Sequence, residues 1–385
     1  MEDFNHRHRI IENGGMIMVG PVILVAGARP NFMKIAPIHK EMKNRGIKQL
    51  LVHTGQHYDN NMSQVFFEDL GISEPDIYMG VGSGSHAKQT ASIMVEFEKI
   101  CNEHNPSLVV VVGDVNSTLA CAIVASKMHI PTAHVEAGLR SGDMRMPEEV
   151  NRLVTDAISD ILLTPSRDAD QNLLGEGRGE DDIYFVGNIM IDSLFNTLGR
   201  IAESSILGDL GLDSRDFGVL TMHRPSNVDD LEILRRIMGA LREICELVRL
   251  VFPVHPRTSN RIDEFGLLSE FEDIANLIMI EPVGYLDFVA LVSESKIVIT
   301  DSGGIQEETT ALGIPCITMR ENTERPITVS QGTNKVVGTN PNSIVSEVMA
   351  SLEESGENPP IPEYWDGKTA KRIVDVLESR IRERE

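Results

Sequence analysis

The chain is poor in positive charge, aromatic residues and cysteine, and it has no long apolar run. Its 385 residues include 35 Lys and Arg against 58 Asp and Glu, a formal net charge of −23. A surface that binds nucleic acid or an anionic membrane needs a basic stripe to neutralise phosphates, and this balance argues against both partners. A few local cations can still hold a small anion. The apolar runs are strand-sized, 108–112 being an example, well short of the ~20 residues of a membrane span. Residues 1–15 are polar and lack the apolar stretch of a secretory signal, so 1–16 read as a frayed extension or a misassigned start. Four cysteines, Cys101, Cys121, Cys245 and Cys316, stand scattered in apolar contexts without CxxC spacing. That suits buried thiols in a cytoplasmic enzyme, and neither a disulfide nor a catalytic metal is expected. No Walker string GxxxxGK[ST] is present.

What the chain does have is a succession of short β-branched runs, each followed by a turn and a helix-period stretch. This is the pattern of parallel strands covered by helices, an α/β class. Strands are expected at 22–26, 49–54, 108–113, 132–136, 161–164 and 183–186, then at 218–222, 250–254, 278–280, 296–300 and 316–319. Each half reads as one doubly wound sheet, with the boundary after Gly187-Asn188: a first domain over 17–190 and a second over 191–367. Residues 356–362 read as a surface loop before a last helix. Ligands of open α/β sheets bind beyond the strand C-termini, so the site is expected in an interdomain cleft.

The chemistry-bearing strings stand at those strand ends. Gly27-Ala28-Arg29-Pro30, with Lys34 a turn further on, follows the first strand; a glycine turn at a helix N-terminus, flanked by cations, is a phosphate-type corner or an ordinary turn with surface charges. Gly113-Asp114 closes the four-valine strand, where Asp114 is either the cap of the next helix or a carboxylate facing the cleft. The strand at 132–136 ends in His134-Val135-Glu136-Ala137-Gly138-Leu139-Arg140, and Pro147-Glu148-Glu149 opens the helix through Asn151 and Arg152. Acids in a first helical turn are also ordinary dipole partners. Three carboxylates from neighbouring segments nevertheless suit acid/base chemistry, because crowding drives their pKa values apart.

In the second half, His223 and His255 follow two strands and are either turn histidines or site residues. Asp301-Ser302-Gly303-Gly304-Ile305-Gln306-Glu307-Glu308 is a strand end, a small-residue turn and a helix. Ser302, Gly303 and Gly304 let backbone approach a diphosphate at the helix N-terminus, and Glu308 can accept ribose hydroxyls. Arg325 is placed for the same anion, although Arg320 and Arg325 can instead pair with Glu321 and Glu324 as solvated charges.

Taken in order, these strings, with Thr54-Gly55-Gln56-His57 and Thr323-Glu324-Arg325-Pro326, resemble the non-hydrolysing UDP-N-acetylglucosamine 2-epimerase family over about 21–376. The resemblance implies a GT-B architecture of two Rossmann-like domains, a C-terminal helix at 368–385 packing back on the first, and a homodimer. It implies interconversion of UDP-N-acetylglucosamine and UDP-N-acetylmannosamine by anti-elimination of UDP and readdition through 2-acetamidoglucal. It makes Asp114, Glu136 and Glu148 the acid/base carboxylates, with Lys34 and His223 beside them at the active site. Arg29, His223, Arg325 and the Ser302-Gly303-Gly304 turn would hold the diphosphate, and Glu308 the ribose. The reaction is redox-neutral, so no cofactor is implied. The stretch 141–146 is shorter than in many bacterial members and resembles relatives acting on UDP-2,3-diacetamido-glucuronic acid. A GT-B glycosyltransferase is the competing class, and it needs at most one carboxylate base.

Overall fold

Every strand pairing among the described residues is parallel, and the valine and isoleucine runs explain why. In β1 (Val22–Ala26) and β4 (Leu108–Val112) all five residues are buried, which only a sheet covered on both faces can arrange. The computed structural model describes residues 20–55, 67, 71–354 and 361–383. Among these residues the chain forms two sheets. The first contains β1, β2 (Gln49–His53), β3 (Ile77–Tyr78), β4, β5 (Thr132–Val135), β6 (Ile161–Thr164) and β7 (Ile183–Phe185) in the order β3-β2-β1-β4-β5-β6-β7. The second contains β8 (Phe217–Thr221), β9 (Arg249–Pro253), β10 (Leu277–Ile280), β11 (Ile297–Thr300), β12 (Cys316–Thr318) and β13 (Asn334–Val336) in the order β10-β9-β8-β11-β12-β13.

Both orders reverse direction once, between β1 and β4 in the first sheet and between β8 and β11 in the second. At such a reversal the chain leaves neighbouring strands toward opposite faces and opens a crevice at their C-terminal ends. Two strands were not expected from sequence. β3 and β13 are two and three residues long, too short for alternation to register. Several observed strands also stop one residue before the expected end, because the last residue has already entered the turn that carries the polar group.

The chain divides into two compact units. The first comprises Met1–Gly138, Asp143–Ile189 and Ala370–Glu385, and the second Leu139–Gly142 and Met190–Thr369. In the first unit, Ile23, Val25, Val109 and Val111 pack against Ile93, Phe97 and Cys121 of the covering helices. The second has its main core around Leu220, Phe252, Ile299, Leu241 and Ile344. The last helix, Thr369–Glu383, buries Ile373, Val374 and Leu377, and Arg45 of the first unit bonds its Asp375 and Glu378 at 2.7 and 2.9 Å. After the boundary expected at Gly187-Asn188 the chain forms helix Ile189–Leu198 and then a short 3-10 turn, Ile201–Glu203. The loop expected at 356–362 lies largely outside the described residues, as does the extension 1–16. All four cysteines are free and buried. No helix among the described residues is long and apolar enough to cross a membrane.

Candidate active site

In the first unit the site residues gather at the β1/β4 reversal. Helix Arg29–Asn44 starts directly after β1, and Asn31 ties its first turn to the neighbouring strand by accepting from Ala28 N (2.9 Å) and donating to Val112 O (3.0 Å). One turn on, Lys34 Nζ forms an ion pair with Glu136 Oε2. Gly113 makes room for this pair: a Cβ there would lie 3.3 Å from Lys34 Nζ and 3.7 Å from Glu136 Oε2, and its φ of +71° favours glycine. Glu136 is 5% exposed, and its Oε1 has no hydrogen-bond partner among the described residues. Its backbone is left-handed, φ +69°, a conformation that costs a non-glycine residue on the order of 1–3 kcal/mol and that clusters at functional sites. Arg29 is exposed at the start of the helix.

Asp114 does not cap the following helix, whose N-cap is Val115. Its carboxylate instead meets Arg152 at 2.6 Å, and Arg152 also holds Glu149 at 2.5 Å. Asn151 donates to Asp114 O at 2.8 Å. Helix Pro147–Ile158 therefore turns Glu149, Asn151, Arg152 and Asp156 inward, while Glu148 in its first turn is half-buried. Asp114, Glu136, Glu148 and Lys34 thus stand on neighbouring segments of one sheet edge. Thr54 bonds Ser117 at 2.8 Å; Gln56 and His57 lie outside the described residues.

The second unit repeats the arrangement with opposite polarity. Asp301, at the end of β11, is fully buried. It accepts from the backbone of His223 (2.9 Å) and Arg224 (2.8 Å) and from Asn227 Nδ2 (3.0 Å), and it pairs with His223 Nδ1 at 3.0 Å. Burial alone would raise the Asp301 pKa, but these donors and the adjacent His223 hold it below the usual carboxylate value. The His223 ring is thus anchored on a buried carboxylate and remains 35% exposed. His255 packs beside it at 5.1 Å between centroids and caps helix Pro256–Glu264; burial, then the neighbouring His223, lowers its pKa.

Helix Gly303–Leu312 opens at this reversal with Ser302 as N-cap. Gly303 is required by close approach: a Cβ would fall 2.7 Å from Glu324 Oε1 and 3.2 Å from Arg325 Nη1. The expectation of solvated charges is corrected here. Arg320 and Arg325 are 7% and 8% exposed, Arg320 pairs with Glu324 (2.8 Å), and Arg325 lies between Glu307 (2.9 Å) and Glu324 (3.1 Å). The two arginines beside it hold Glu324 far below the ordinary carboxylate range despite its burial. Glu308 accepts from Tyr285 OH at 2.8 Å, and burial lifts its pKa to about 7. Sequence reading passed over Asp156, Asp301, Glu307 and Tyr285 as individual site residues. Asp301 and Glu307 stood inside a recognised string, whereas Tyr285 and Asp156 offered no local signal.

Two doubly wound parallel sheets, each with its polar side chains concentrated at its own reversal, define an α/β protein of GT-B type. A family model described as UDP-N-acetylglucosamine 2-epimerase matches residues 40–378. The chain is 41% identical over 363 residues to a UDP-N-acetylglucosamine 2-epimerase of Methanocaldococcus jannaschii, covering 92% of this chain and 98% of that one. It is likewise 41% identical to a UDP-2,3-diacetamido-2,3-dideoxy-D-glucuronate 2-epimerase of Pseudomonas aeruginosa, covering 92% and 99%. The crystal structure of the M. jannaschii UDP-GlcNAc 2-epimerase in complex with UDP-GlcNAc and UDP superposes with a TM-score of 0.85 at 40% identity, over 93% of this chain and 99% of that chain. The chain belongs to the UDP-N-acetylglucosamine 2-epimerase family.

Proposed function

We propose that the protein is an isomerase that interconverts UDP-N-acetylglucosamine and UDP-N-acetylmannosamine. UDP leaves C1 as the C2 proton is removed, 2-acetamidoglucal forms, and UDP adds back after C2 is reprotonated on the opposite face. The C2 hydrogen is barely acidic, so stabilising the departing diphosphate is the larger task. In this reading Arg29, His223, Arg325 and the amides at Ser302, Gly303 and Gly304 meet the diphosphate, and Glu308 takes the ribose. Asp114, Glu136 and Glu148 move protons, with Lys34 paired to Glu136. The chemistry is redox-neutral and calls for no cofactor.

The observation that carries the reading is Glu136: a buried carboxylate with one oxygen held by Lys34 and the other without a hydrogen-bond partner among the described residues, on a left-handed backbone. A capping or surface acid has no need of such a setting. A second reading, epimerisation of UDP-2,3-diacetamido-glucuronic acid, is favoured by the short 141–146 stretch and by the P. aeruginosa relative. Proton NMR in D₂O tests both. Deuterium at C2 with a growing UDP-N-acetylmannosamine signal is expected; exchange only with the diacetamido uronate selects the second reading, and exchange with neither defeats both.

The reading extends to a cytoplasmic homodimer. Val150 and Val154, each 38% exposed, lie one turn apart on the outward side of helix Pro147–Ile158, an apolar pair suited to a second copy. Sedimentation of Val154→Lys against the unaltered protein tests it, and an unchanged dimer would exclude this face.

A further inference from the structure

Resting on the reading above and deepening it, we propose that His134 and Asp156 are positioning residues that set the three proton-transfer carboxylates in one geometry. The two side chains are 0% and 1% exposed, so neither touches substrate. His134 Nδ1 lies 2.6 Å from Asp156 Oδ1, and His134 Nε2 lies 2.8 Å from Gly113 O. Asp156 Oδ2 accepts from Gly138 N at 3.0 Å. These bonds join three segments. Gly113 precedes Asp114, the stretch from His134 to Gly138 carries Glu136, and helix Pro147–Ile158 carries Glu148 together with Arg152, the partner of Asp114.

The bridge acts on the backbone where the chain most needs holding. Glu136 sits at φ +69° between His134 and Gly138, and both flanking residues are tied to the same aspartate. Asn172 Nδ2 fixes Gly138 O from the other side at 2.9 Å. Gly113 O can only accept, so His134 Nε2 presents a hydrogen to it, while Nδ1 shares the other hydrogen bond with Asp156 Oδ1. Loss of the bridge frees the Gly113-Asp114 turn, the Glu136 turn and the helix to shift independently, and a displacement of about 1 Å at reacting groups costs on the order of 10²-fold in rate.

The test compares variants by C2 deuterium incorporation and by UDP binding. Asp156→Ala and His134→Phe are expected to lower kcat by on the order of 10²-fold, with KM and UDP affinity nearly unchanged. Asp156→Asn keeps an oxygen for Gly138 N and an amide hydrogen for Nδ1, with Nε2 still donating to Gly113 O, so it should lose less than about tenfold. Wild-type kcat in the first two variants overturns the proposal. So does an Asp156→Asn loss as deep as that of Asp156→Ala, or a loss of UDP affinity as large as that of kcat. If Asp156→Ala and His134→Phe fail to melt cooperatively, Asp156→Glu decides. A tenfold or greater fall in kcat with a native melt upholds the bridge, and unchanged kcat refutes it. A wild-type protein that exchanges neither candidate substrate defeats the functional reading itself, and the proposal falls with it.

Discussion

The two units share a strand order and a reversal point, yet they use acidic side chains in opposite ways. In the first, Asp114 is 29% exposed over the buried Arg152, and Glu136, itself buried at 4%, pairs with the more exposed Lys34. In the second, Asp301, Glu307 and Glu324 are buried supports, and the groups they orient, His223, Arg224 and Arg325, are cationic or potentially so. An acid-rich chain can therefore build a surface for an anion if its acids lie one layer beneath the cations. Net charge excludes a broad basic face but says nothing about such a local inversion.

If that division is real, substitutions in the two units should separate kcat from UDP affinity. The largest effect is expected from Asp114→Asn, Glu136→Gln and Glu148→Gln, each lowering kcat by on the order of 10²-fold or more, the usual scale of lost acid/base catalysis. UDP affinity by calorimetry should stay within a few-fold. A variant of this set that weakens UDP instead would break the division.

Next in size come Arg325→Ala and Gly303→Ala. The first removes a charged hydrogen-bonding group worth about 1.5–3 kcal/mol, a roughly 10- to 100-fold loss of UDP affinity. The second drives a methyl into Glu324 and Arg325 at the helix N-terminus and should weaken UDP similarly. Equal UDP binding in both variants would remove the diphosphate from this corner.

The smallest effect concerns pH. The folded-state pKa of Glu308 is about 7, raised by burial from the ordinary 4.5, so between those values the folded protein holds a proton that the unfolded chain has released. Its contribution to stability is complete below about pH 4.5 and declines as pH rises through about 7. Urea melts between pH 5 and 8 should show that decline in the wild type and a flatter profile in Glu308→Gln. An identical slope in both would assign the decline to other groups. Ribose donors prefer the ionised carboxylate, so UDP affinity should rise over the same interval in the wild type only.

The α/β class, the principal strands and the strings at their ends were legible because a doubly covered parallel strand writes itself as an unbroken apolar run and its turn as Gly, Ser and Asp. What stayed hidden was pairing. Asp114 and Arg152 are 38 residues apart and His223 and Asp301 are 78 apart, and no local pattern marks such partners. The capping expectation for Asp114 failed because its side chain found a buried guanidinium nearby, a stronger partner than a helix N-terminus. Arg325 was read as anion-facing or solvated and Arg320 as solvated, but Arg325 is buried against Glu307, brought across from helix Gly303–Leu312, and Arg320 against Glu324. β3 and β13 were too short to announce themselves.

The helix Thr369–Glu383 groups with the first unit although the whole second unit precedes it in the chain. Neither unit is therefore a contiguous gene segment. A fragment that stops near residue 189 would leave uncovered the surface that Ile373, Val374 and Leu377 protect, together with the Arg45 guanidinium that its acids neutralise. Recombination that exchanges the second unit between relatives must cut twice and carry this helix with the recipient's first unit. A single crossover would pair a helix from one lineage with a groove shaped by another.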